Sequence, residues 1–551
     1  MKKNILTAVM ATALLAGVTT ASAAEFVLVN TDPDGFGFND PTPATPVGGN
    51  AGTTVGAQRL IAYGRALQLW GSILKSDVPI VVLGSFQPRP CAPDSGVLAS
   101  AGAWNIELNF PNAPLVGHWY HSALANSIAG VDLYPGDDSY PDGAIIDGAD
   151  VAAFFNSELG TPDCLTTSSW YYGLDNNANT AAGQIDFLDT FMHELSHGLG
   201  FSNFANEATG QGFFGLPDVY MANTRDNATG KIWNVMTPAE IVAAAVRDGQ
   251  QVWNGPRVTA RAPSVLGKAT LLNLNAPAAL VGEYETGTAA WGAVATPANF
   301  SGSIVLGLDA GSVADLTVND GCTAFTNAAD VAGKIALVRR GTCAFTVKAK
   351  NAQNAGAKGV IIANNAALAG PMAMGGADAT VTIPAISVST QLGLDFIAAN
   401  TTGAGGLAVS ATRLAGADAA GRARVYAPTT YAAGSSISHY DTAASPDLLM
   451  EPFISPTLAS ATNVDLTAAL FEDIGWKTEL SVADCGKGSG APATLLNGQS
   501  LASPVFTCAN NAKNKGQFQS CSTQYFNALR NAGVIAGSNK GAFSSCTAGG
   551  K

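Results

Sequence analysis

Hydrophobic and polar positions in the first third of the chain follow two different periods. Residues 26–29 and 78–83 are short apolar runs typical of strands, and residues 57–74 carry apolar side chains at the spacing of an amphipathic helix. The helical period returns over residues 185–192, ahead of Gly198 and Gly200, which are suited to end a helix. The chain is therefore predicted to open as strand, helix, strand and to place an apolar helix near residue 190.

Two short segments come just before this apolar helix. Residues 150–157 and 169–174 are predicted as strand-like, the second because it contains Trp170, Tyr171 and Tyr172. We expect them to form the sheet edge along which an extended substrate lies. Further along, residues 237–249 and 463–476 are predicted as helices.

A change of composition divides the chain. Around residues 255–263 the sequence shifts toward Ala, Val, Gly and Thr with a period of two, and 551 residues suffice for roughly three or four domains. We predict an α+β protein whose first domain has a mixed sheet and the apolar helix. The predicted parts are the two segments of this domain, 24–257 and 425–480, an inserted α/β domain at 258–424, and a small helical C-terminal unit at 481–551.

The N-terminus has the three parts of a secretory signal peptide. Lys2 and Lys3 precede an apolar run over residues 5–18, and residues 21–23 form a small-residue cleavage pattern. This run is too short for a membrane span, and no later segment is long and apolar enough to be one. We therefore expect residues 1–23 to be a signal peptide and the product to be secreted, extracellular or periplasmic.

The net charge excludes some classes of binding partner, and the cysteine content indicates the compartment. A net charge of -13 and a pI near 4.8 argue against nucleic acid and anionic membranes, which repel such a surface. The 8 cysteines include no CxxC pair, so disulfides are expected after export. Their order suggests Cys91 with Cys164, Cys322 with Cys343, and two bonds among the last four, a pairing that sequence alone leaves open.

The apolar helix carries the spacing of a metal site. Residues four apart on a helix share one face, so His193 and His197 can direct two imidazole nitrogens at one ion, and Glu194 is in the position of a general base. The alternative interpretation is a buried amphipathic helix whose two histidines match this pattern by chance. The glycines that follow and the secretory context favour a Zn²⁺ site.

A catalytic zinc normally has three protein ligands, so a third must come from elsewhere. The remaining histidines are His118, His121 and His439. His118 and His121 would share a face if helical, but a structural role at the edge of a helix running to residue 128 is the favoured interpretation. A run of aspartates between residues 132 and 150 could bind calcium, although a solvated acidic loop is favoured.

Residues 333–345 and 348–365 are predicted to form a strand, a turn, a helix and a strand. In sequence and in order of elements they closely resemble the protease-associated (PA) domain. The similarity covers roughly residues 277–413, with residues 381–388 matching that family's late strand. The resemblance implies a docking or substrate-access module that carries no catalytic residues.

The segment after this insert, Ser438-His439-Tyr440 followed by Leu449-Met450, is similar to the second half of a metzincin peptidase site. Most metzincins place the third histidine three residues after the HExxHxxG glycine, where this chain has Asn203, a poor zinc ligand. The leishmanolysin-like branch inserts a domain before that histidine. The resemblance implies His439 as third ligand and Met450 in a turn below the metal, with the PA domain as the insert.

We therefore expect a secreted zinc metalloendopeptidase of the metzincin type that acts on protein or peptide substrates. Its Zn²⁺ ligands are expected to be His193, His197 and His439, and its general base Glu194. Three alternatives stay open: Glu207 as the third ligand, a zinc hydrolase acting on another bond, and a secreted adhesive or binding protein with an inert zinc site. The segment around Cys91 also faintly resembles a metalloproteinase cysteine switch, but a disulfide is favoured there.

Overall fold

The computed structural model describes residues 24–134, 148–175, 183–311, 317–367, 370–458, 460, 463–478, 508, 515–531 and 540. The expected signal peptide at residues 1–23, most of the expected unit at 481–551, and the acidic loop from residue 135 to 147 lie outside these residues.

The chain up to the insert alternates short strands and helices. In order, these are β1 (Phe26–Asn30), α1 (Val55–Ile73), β2 (Leu74–Lys75), β3 (Ile80–Gln87), β4 (Cys91–Ala92), β5 (Ser95–Gly96), β6 (Ala99–Ala103), β7 (Ile106–Leu108), β8 (Trp119–His121), α2 (Ser122–Ala129), β9 (Val151–Asn156), β10 (Ser169–Tyr171), β11 (Gln184–Asp186), α3 (Phe187–Leu199), β12 (Thr224–Asp226), α4 (Pro238–Ala244), β13 (Gln251–Trp253) and α5 (Pro256–Val265).

The remaining elements belong to a second sheet and to the return of the chain. They are β14 (Lys268–Ala276), β15 (Gly282–Tyr284), β16 (Ser301–Leu306), α6 (Ala328–Val331), β17 (Ile335–Arg339), α7 (Phe345–Asn354), β18 (Gly359–Ala363), β19 (Ala385–Val388), α8 (Thr390–Ala399), β20 (Gly403–Leu414), α9 (Thr467–Ile474), β21 (Lys477–Thr478) and α10 (Lys515–Asn531).

The first sheet has four strands in the order β1-β3-β9-β6. The first three are parallel, whereas β6 runs antiparallel to β9, so the sheet is mixed as predicted. Helix α1 begins at an N-cap in which the Thr54 hydroxyl accepts from the Ala57 N–H, and it packs against α3. A core of fully buried aromatic residues, including Tyr63, Phe155 and Phe191, joins the sheet to both helices.

The expectation for the sheet edge was wrong. The strand at residues 150–157 is β9, which pairs on both sides with β3 and β6. Among the described strands, β10 pairs with β11 alone, in a separate two-stranded ladder. The edge strand beside α3 is β6, whose sequence Ala-Ser-Ala-Gly-Ala has no β-branched or aromatic side chain to mark it. The open edge next to the apolar helix is therefore made of small residues.

The second sheet has seven strands in the order β15-β14-β20-β16-β17-β18-β19. Strands β16 to β19 are mutually parallel, with α7 packed on β18 and α8 on β17 and β18, which confirms the strand, helix, strand order predicted from residue 333 onward. A core of its own, including Ile304, Ile335 and Ile361, lies on one face. This unit is therefore an α/β structure separate in its packing from the first sheet.

The two units meet around α5 and the chain after β20. Val258 and Ala262 of α5 pack in the first core, and so do Ala417 and Ala423 after β20, so both ends of the predicted 258–424 insert pack with the first domain. Glu285, just after β15, lies between two arginines: Arg413 donates to it at 2.6 Å, and Arg424 forms an ion pair with it. We propose that the inserted fold itself spans residues 268–414, within the boundaries expected from sequence.

Several local expectations differ in length from the structure. The helices expected at 237–249 and 463–476 are the shorter α4 and α9. His118 and His121 are not on a helix, because β8 ends at His121 and α2 starts after it, which agrees with the favoured position at the edge of a helix running to residue 128. The disulfides Cys91–Cys164 and Cys322–Cys343 are confirmed, and Cys508 pairs with Cys521. Among the described residues, no helix combines the length and apolar character needed to cross a membrane.

Candidate metal centre

Helix α3 is held rigidly in the first core. The Asp186 carboxylate caps its N-terminus by accepting from the N–H groups of Leu188 and Asp189, at 2.9 and 3.1 Å. A Cβ on Gly198 would lie 2.2 Å from Val151 of β9, so only glycine lets the helix approach the sheet this closely. Gly200 has a φ of 132°, which ends the helix and turns the chain away from it.

Three imidazole rings lie together beside α3, two from the helix and one from a segment far along the chain. His193 Nε2 lies 3.2 Å from His439 Nε2 and 3.2 Å from His197 Nε2, although His439 is 246 residues from His193 in sequence. All three ligand nitrogens lie within 4.8 Å of one another, and all three residues are buried. The structure thus brings together the three histidines that sequence analysis named as metal ligands.

The outer nitrogen of each ring is bonded to a backbone carbonyl. His193 Nδ1 donates to the Leu449 carbonyl at 2.7 Å, His197 Nδ1 to that of Phe201 at 2.8 Å, and His439 Nδ1 to that of Ser435 at 2.8 Å. A carbonyl only accepts, so each Nδ1 carries the proton and each Nε2 presents a lone pair to the same point. Three converging lone pairs repel one another and suit a cation.

Burial keeps these rings neutral. It lowers the pKa of His193 to about 3 and that of His197 to about 4, and it holds the pKa of His439 well below the ordinary value, with the neighbouring histidines adding to the effect at His439. Neutral imidazole is the form that binds a metal. At the usual Zn–N distance, two ligand nitrogens of a tetrahedral site lie about 3.4 Å apart, close to the spacing here. The donor set therefore fits Zn²⁺.

His439 is positioned by the segment to which the chain returns after the insert. Tyr426 N donates to the His439 carbonyl at 2.9 Å, and Val425 pairs with Tyr440 in an antiparallel bridge. From the helix side, the Asn203 side chain donates to Ser438 Oγ at 3.3 Å and to Glu207 at 2.7 Å. Asn203 therefore supports the loop that carries His439, at the position where the short metzincin motif has a ligand.

The turn at residues 448–451 lies behind His193. Glu451 N donates to the Leu448 carbonyl at 3.1 Å, and Tyr440 N donates to the Met450 carbonyl. Met450 is fully buried. The Asp465 carboxylate accepts a hydrogen bond from Leu449 N at 2.5 Å. The carbonyl of the same Leu449 accepts from His193 Nδ1. The turn thus links the His193 ring, the segment that carries His439 and the residues just before α9.

Glu194 lies beside the triad and is buried. Burial raises the pKa of its carboxyl to about 8, while the Ala101 N–H of β6, which it accepts, and the nearby charge of Arg89 act in the opposite direction. The carboxylate is therefore fixed between the helix and the edge strand. A buried glutamate with a raised pKa is suited to exchange a proton near neutral pH.

A cleft of 990 Å³ runs over the triad. One wall is residues 95–101, which include most of β6, and the other is formed by residues 433–435, 438–439 and 452–456. His193, Glu194 and His197 line it from α3, together with Asp186, Asp189 and Thr190. The three imidazoles and the glutamate therefore face a space large enough for a peptide segment.

Other residues considered as ligands lie elsewhere. Glu207 is occupied by Asn203 and by the Tyr431 hydroxyl at 3.1 Å, and it is not part of the group of ligand atoms around His193. His121 is buried and hydrogen-bonded to Ser202 Oγ at 2.8 Å, which supports its structural role. Cys91 is bonded to Cys164, so it is not a thiolate ligand.

Three contributors to this site were missed by sequence reasoning. Strand β6 has no alternating pattern, Asp465 lies near the start of the helix predicted at 463–476, and Arg89 lies two residues before Cys91, so none of them is marked as a site residue by its sequence context. The Pro88-Arg89-Pro90 sequence is a signal from which a charge on a restrained backbone could have been predicted.

Comparison with known proteins identifies one part of the chain. Residues 300–396 match the family model described as the PA domain. The insert contains a PA domain. A stretch of 52 residues is 52% identical to ER degradation-enhancing alpha-mannosidase-like protein 3 of Homo sapiens, but it covers 9% of this chain and 6% of that protein.

Solved structures overlap the chain only in part. BSAP, a zinc aminopeptidase from Bacillus subtilis, is 24% identical, with 28% of this chain and 37% of that chain covered and a TM-score of 0.19. An aminopeptidase from Aneurinibacillus sp. strain AM-1 is 21% identical, with 35% and 42% covered and a TM-score of 0.18. At these TM-scores the overlap establishes nothing about the fold around the triad.

Proposed function

We propose that this chain is a secreted zinc-dependent endopeptidase of the metzincin type, with the inserted domain placed as in the leishmanolysin-like branch. The observation that carries the proposal is the meeting of three neutral imidazole nitrogens, one from far along the chain, beside a buried glutamate in a large cleft. The helix ending at Gly200, the late histidine and the buried Met450 in its turn support the metzincin assignment.

His193, His197 and His439 would hold the metal through Nε2. Bound there, Zn²⁺ supplies Lewis-acid chemistry, because it acidifies water and polarises a carbonyl oxygen. The carbonyls of Leu449, Phe201 and Ser435 fix the three rings in the ligating orientation, which raises the basicity of each Nε2. Protein groups thus prepare the site before substrate enters.

Glu194 is the proposed general base and then general acid. Its carboxylate accepts a proton from the attacking water and donates it to the nitrogen of the leaving amine. The Ala101 N–H holds the carboxylate in place, and the positive charge of a bound ion would favour its ionised form, as Arg89 does. A raised pKa in the free site and a lowered one in the loaded site suit both halves of this proton transfer.

Strand β6 is the proposed docking edge for substrate. Among the described strands it pairs with β9 alone, and its residues Ala99, Ser100 and Ala101 line the cleft. An extended peptide can add to such an edge through backbone hydrogen bonds, which place a peptide bond over the triad without requiring a chain end. This geometry favours cleavage inside a polypeptide.

Digestion of casein by the mature protein tests the proposal. We expect cleavage at internal bonds that stops with a zinc chelator, returns on adding Zn²⁺, and falls roughly 100- to 10,000-fold in Glu194→Gln, since both proton transfers are lost. Glu194→Gln should keep its zinc, because the glutamate is not a ligand.

Two other results would favour a different function for this protein. Cleavage of no protein substrate by a zinc-loaded sample would favour a secreted adhesive or binding protein with an inert site. Chelator-sensitive hydrolysis of a small ester or amide, without action on casein, would favour a zinc hydrolase of another bond.

A further inference from the structure

Arg89 is a cation in the wall of the cleft, near enough to Glu194 for its charge to lower the pKa of that carboxyl, but it makes no ion pair or hydrogen bond with a carboxylate among the residues that the structure describes. Its Nη2 donates to Ser100 Oγ at 2.5 Å, and its guanidinium carbon lies 5.9 Å from the centre of the Phe154 ring. Its Nε is buried and has no hydrogen-bond partner within the described part of the chain. Arg89 lines the same cleft as Glu194.

Several partly buried arginines outside the cleft form ion pairs with carboxylates. Arg413 binds Glu285 at 2.6 Å, Arg422 binds Asp418 at 2.7 Å, and Arg247 forms an ion pair with Asp226. A guanidinium with a buried, unsatisfied N–H loses hydration without recovering a hydrogen bond, which is unfavourable unless an anion arrives. A buried Nε without a hydrogen-bond partner is also described at Arg225, Arg413 and Arg424, but none of these three lines the cleft. Arg89 is therefore the one of the four that an anionic ligand in the cleft can reach.

The backbone around Arg89 is held in place. Pro88 and Pro90 restrict the chain on both sides, Val97 N donates to the Pro90 carbonyl at 2.9 Å, and Cys91 is bonded to Cys164. These restraints join the arginine to the β4–β5 hairpin and to the chain beside Leu165, all at the rim of the cleft. A cation held this firmly loses little entropy when it binds.

We propose that Arg89 binds a carboxylate of the substrate and makes the cleft selective for a peptide with an acidic group at one position. A planar guanidinium can hold both oxygens of a carboxylate in a fixed orientation, as an ammonium cannot. The carboxylate belongs either to an aspartate or glutamate side chain or to the substrate's C-terminus. This inference rests on the proposed peptidase function and adds a substrate class to it.

Peptide binding to the Glu194→Gln protein tests the proposal without turnover. Zinc-loaded Glu194→Gln is titrated calorimetrically with peptides spanning a bond cut in casein. One series carries Glu or Gln, which differ in charge but not in shape, at each of the three positions on either side of the bond. A second series compares free and amidated C-termini.

We expect one Glu peptide to bind on the order of 10-fold tighter than its Gln partner. This ratio should fall to about 1 with Arg89→Met, recover in part with Arg89→Lys, and persist with Arg261→Met, a control on α5 outside the cleft. If the preference appears between free and amidated peptides, the C-terminal carboxylate is the ligand, and the same Arg89 dependence is expected.

Two outcomes overturn the proposal. Equal affinities within every Glu/Gln and acid/amide pair would show that no carboxylate is recognised. Equal weakening of all peptides by Arg89→Met, with the ratios unchanged, would show that Arg89 acts only on Glu194 or on the local fold. Because binding is measured in an inactive variant, selectivity can fail while casein is still cleaved by the wild type, and the two proposals fail separately.

Discussion

The three histidines are set apart from ordinary buried histidines by the bonds of their outer nitrogens. Each Nδ1 donates to a carbonyl from a different segment, at Leu449, Phe201 and Ser435, so three separate parts of the chain orient one group of lone pairs. The site therefore depends on backbone carbonyl groups as well as on the ligand side chains. Residue types alone do not show which carbonyls will accept these hydrogen bonds.

For this reason sequence spacing identified only part of the site. The i, i+4 relation places His193 and His197 on one helical face from local geometry alone. The approach of His439 depends on how residues 425–441 return after the insert, and only a family resemblance suggested it. The carbonyl acceptors and the Ala101 N–H follow from tertiary packing and have no signature in the sequence.

Glu451, in the turn behind His193, gives a prediction on pH. Burial raises its pKa to about 8, and nearby carboxylates including Asp447 add to the shift, while Oε1 accepts from Leu448 N at 2.9 Å. The folded chain holds this proton more tightly than the unfolded chain, so the group's stabilisation is complete below its unfolded pKa and is lost as pH rises toward about 8.

Glu451→Gln keeps the Oε1 acceptor and removes the charge. We expect its free energy of unfolding at pH 8 to exceed that of wild type by roughly 2 kcal/mol, with little difference at pH 4.5. Urea unfolding at both pH values measures this. A difference that is the same at both values would contradict the assigned shift.

At the scale of elements, the turn at residues 448–451 and the start of α9 form one unit. Asp465 accepts from Leu449 N with Oδ2 and from Thr467 N with Oδ1 at 3.1 Å. Asp465→Asn retains an acceptor for Thr467 but places an amide N–H₂ against Leu449 N. Because Leu449 orients His193, we expect zinc affinity to fall about 10-fold.

Competition with a chromogenic chelator measures this affinity, and Asp395→Asn on α8 is the matched control, since Asp395 lies outside the cleft. Unchanged zinc affinity in Asp465→Asn would mean that the turn does not position His193.

The β4–β5 hairpin depends on its disulfide. Cys91 and Cys164 are 73 residues apart and join the rim of the cleft to the segment before β10. Replacing both with serine should lower the free energy of unfolding by about 2–4 kcal/mol, because the unfolded chain is no longer cross-linked. Urea unfolding of the double variant beside wild type tests this, and equal midpoints would refute it.

Elements with strong periodicity were predictable, whereas the functional edge was not. Helices α1, α3 and α7 and the strands around them follow apolar spacing, and their prediction succeeded. Strand β6 consists of small residues whose extended form is imposed by pairing with β9, so local propensity carried no signal for it. Its position as the edge along the cleft followed only from the sheet order.

At the scale of the whole molecule, the PA unit is joined to the first domain next to the segment that carries His439. Glu285 binds Arg413 and Arg424, and the Arg424 carbonyl accepts from Asp441 N at 3.0 Å, two residues after the ligand. The insert could be recognised from its own sequence. Its contacts could not, because they join charged residues that are far apart in the chain.

Glu285→Gln leaves both arginines without their carboxylate. We expect a loss of about 1–2 kcal/mol in the free energy of unfolding, since all three side chains are at least partly buried. Urea unfolding measures the change beside Glu25→Gln, a control at an exposed position. An equal, small change in both variants would show that this junction contributes no more than a surface charge.

The central claim is that His439 completes a zinc site with His193 and His197, and the zinc content of purified variants tests it most directly. Elemental analysis after dialysis should give one zinc per chain for wild type and for Glu207→Ala, and far less than one for His439→Ala at the same protein concentration. Full zinc in His439→Ala, or its loss in Glu207→Ala alone, would contradict the account.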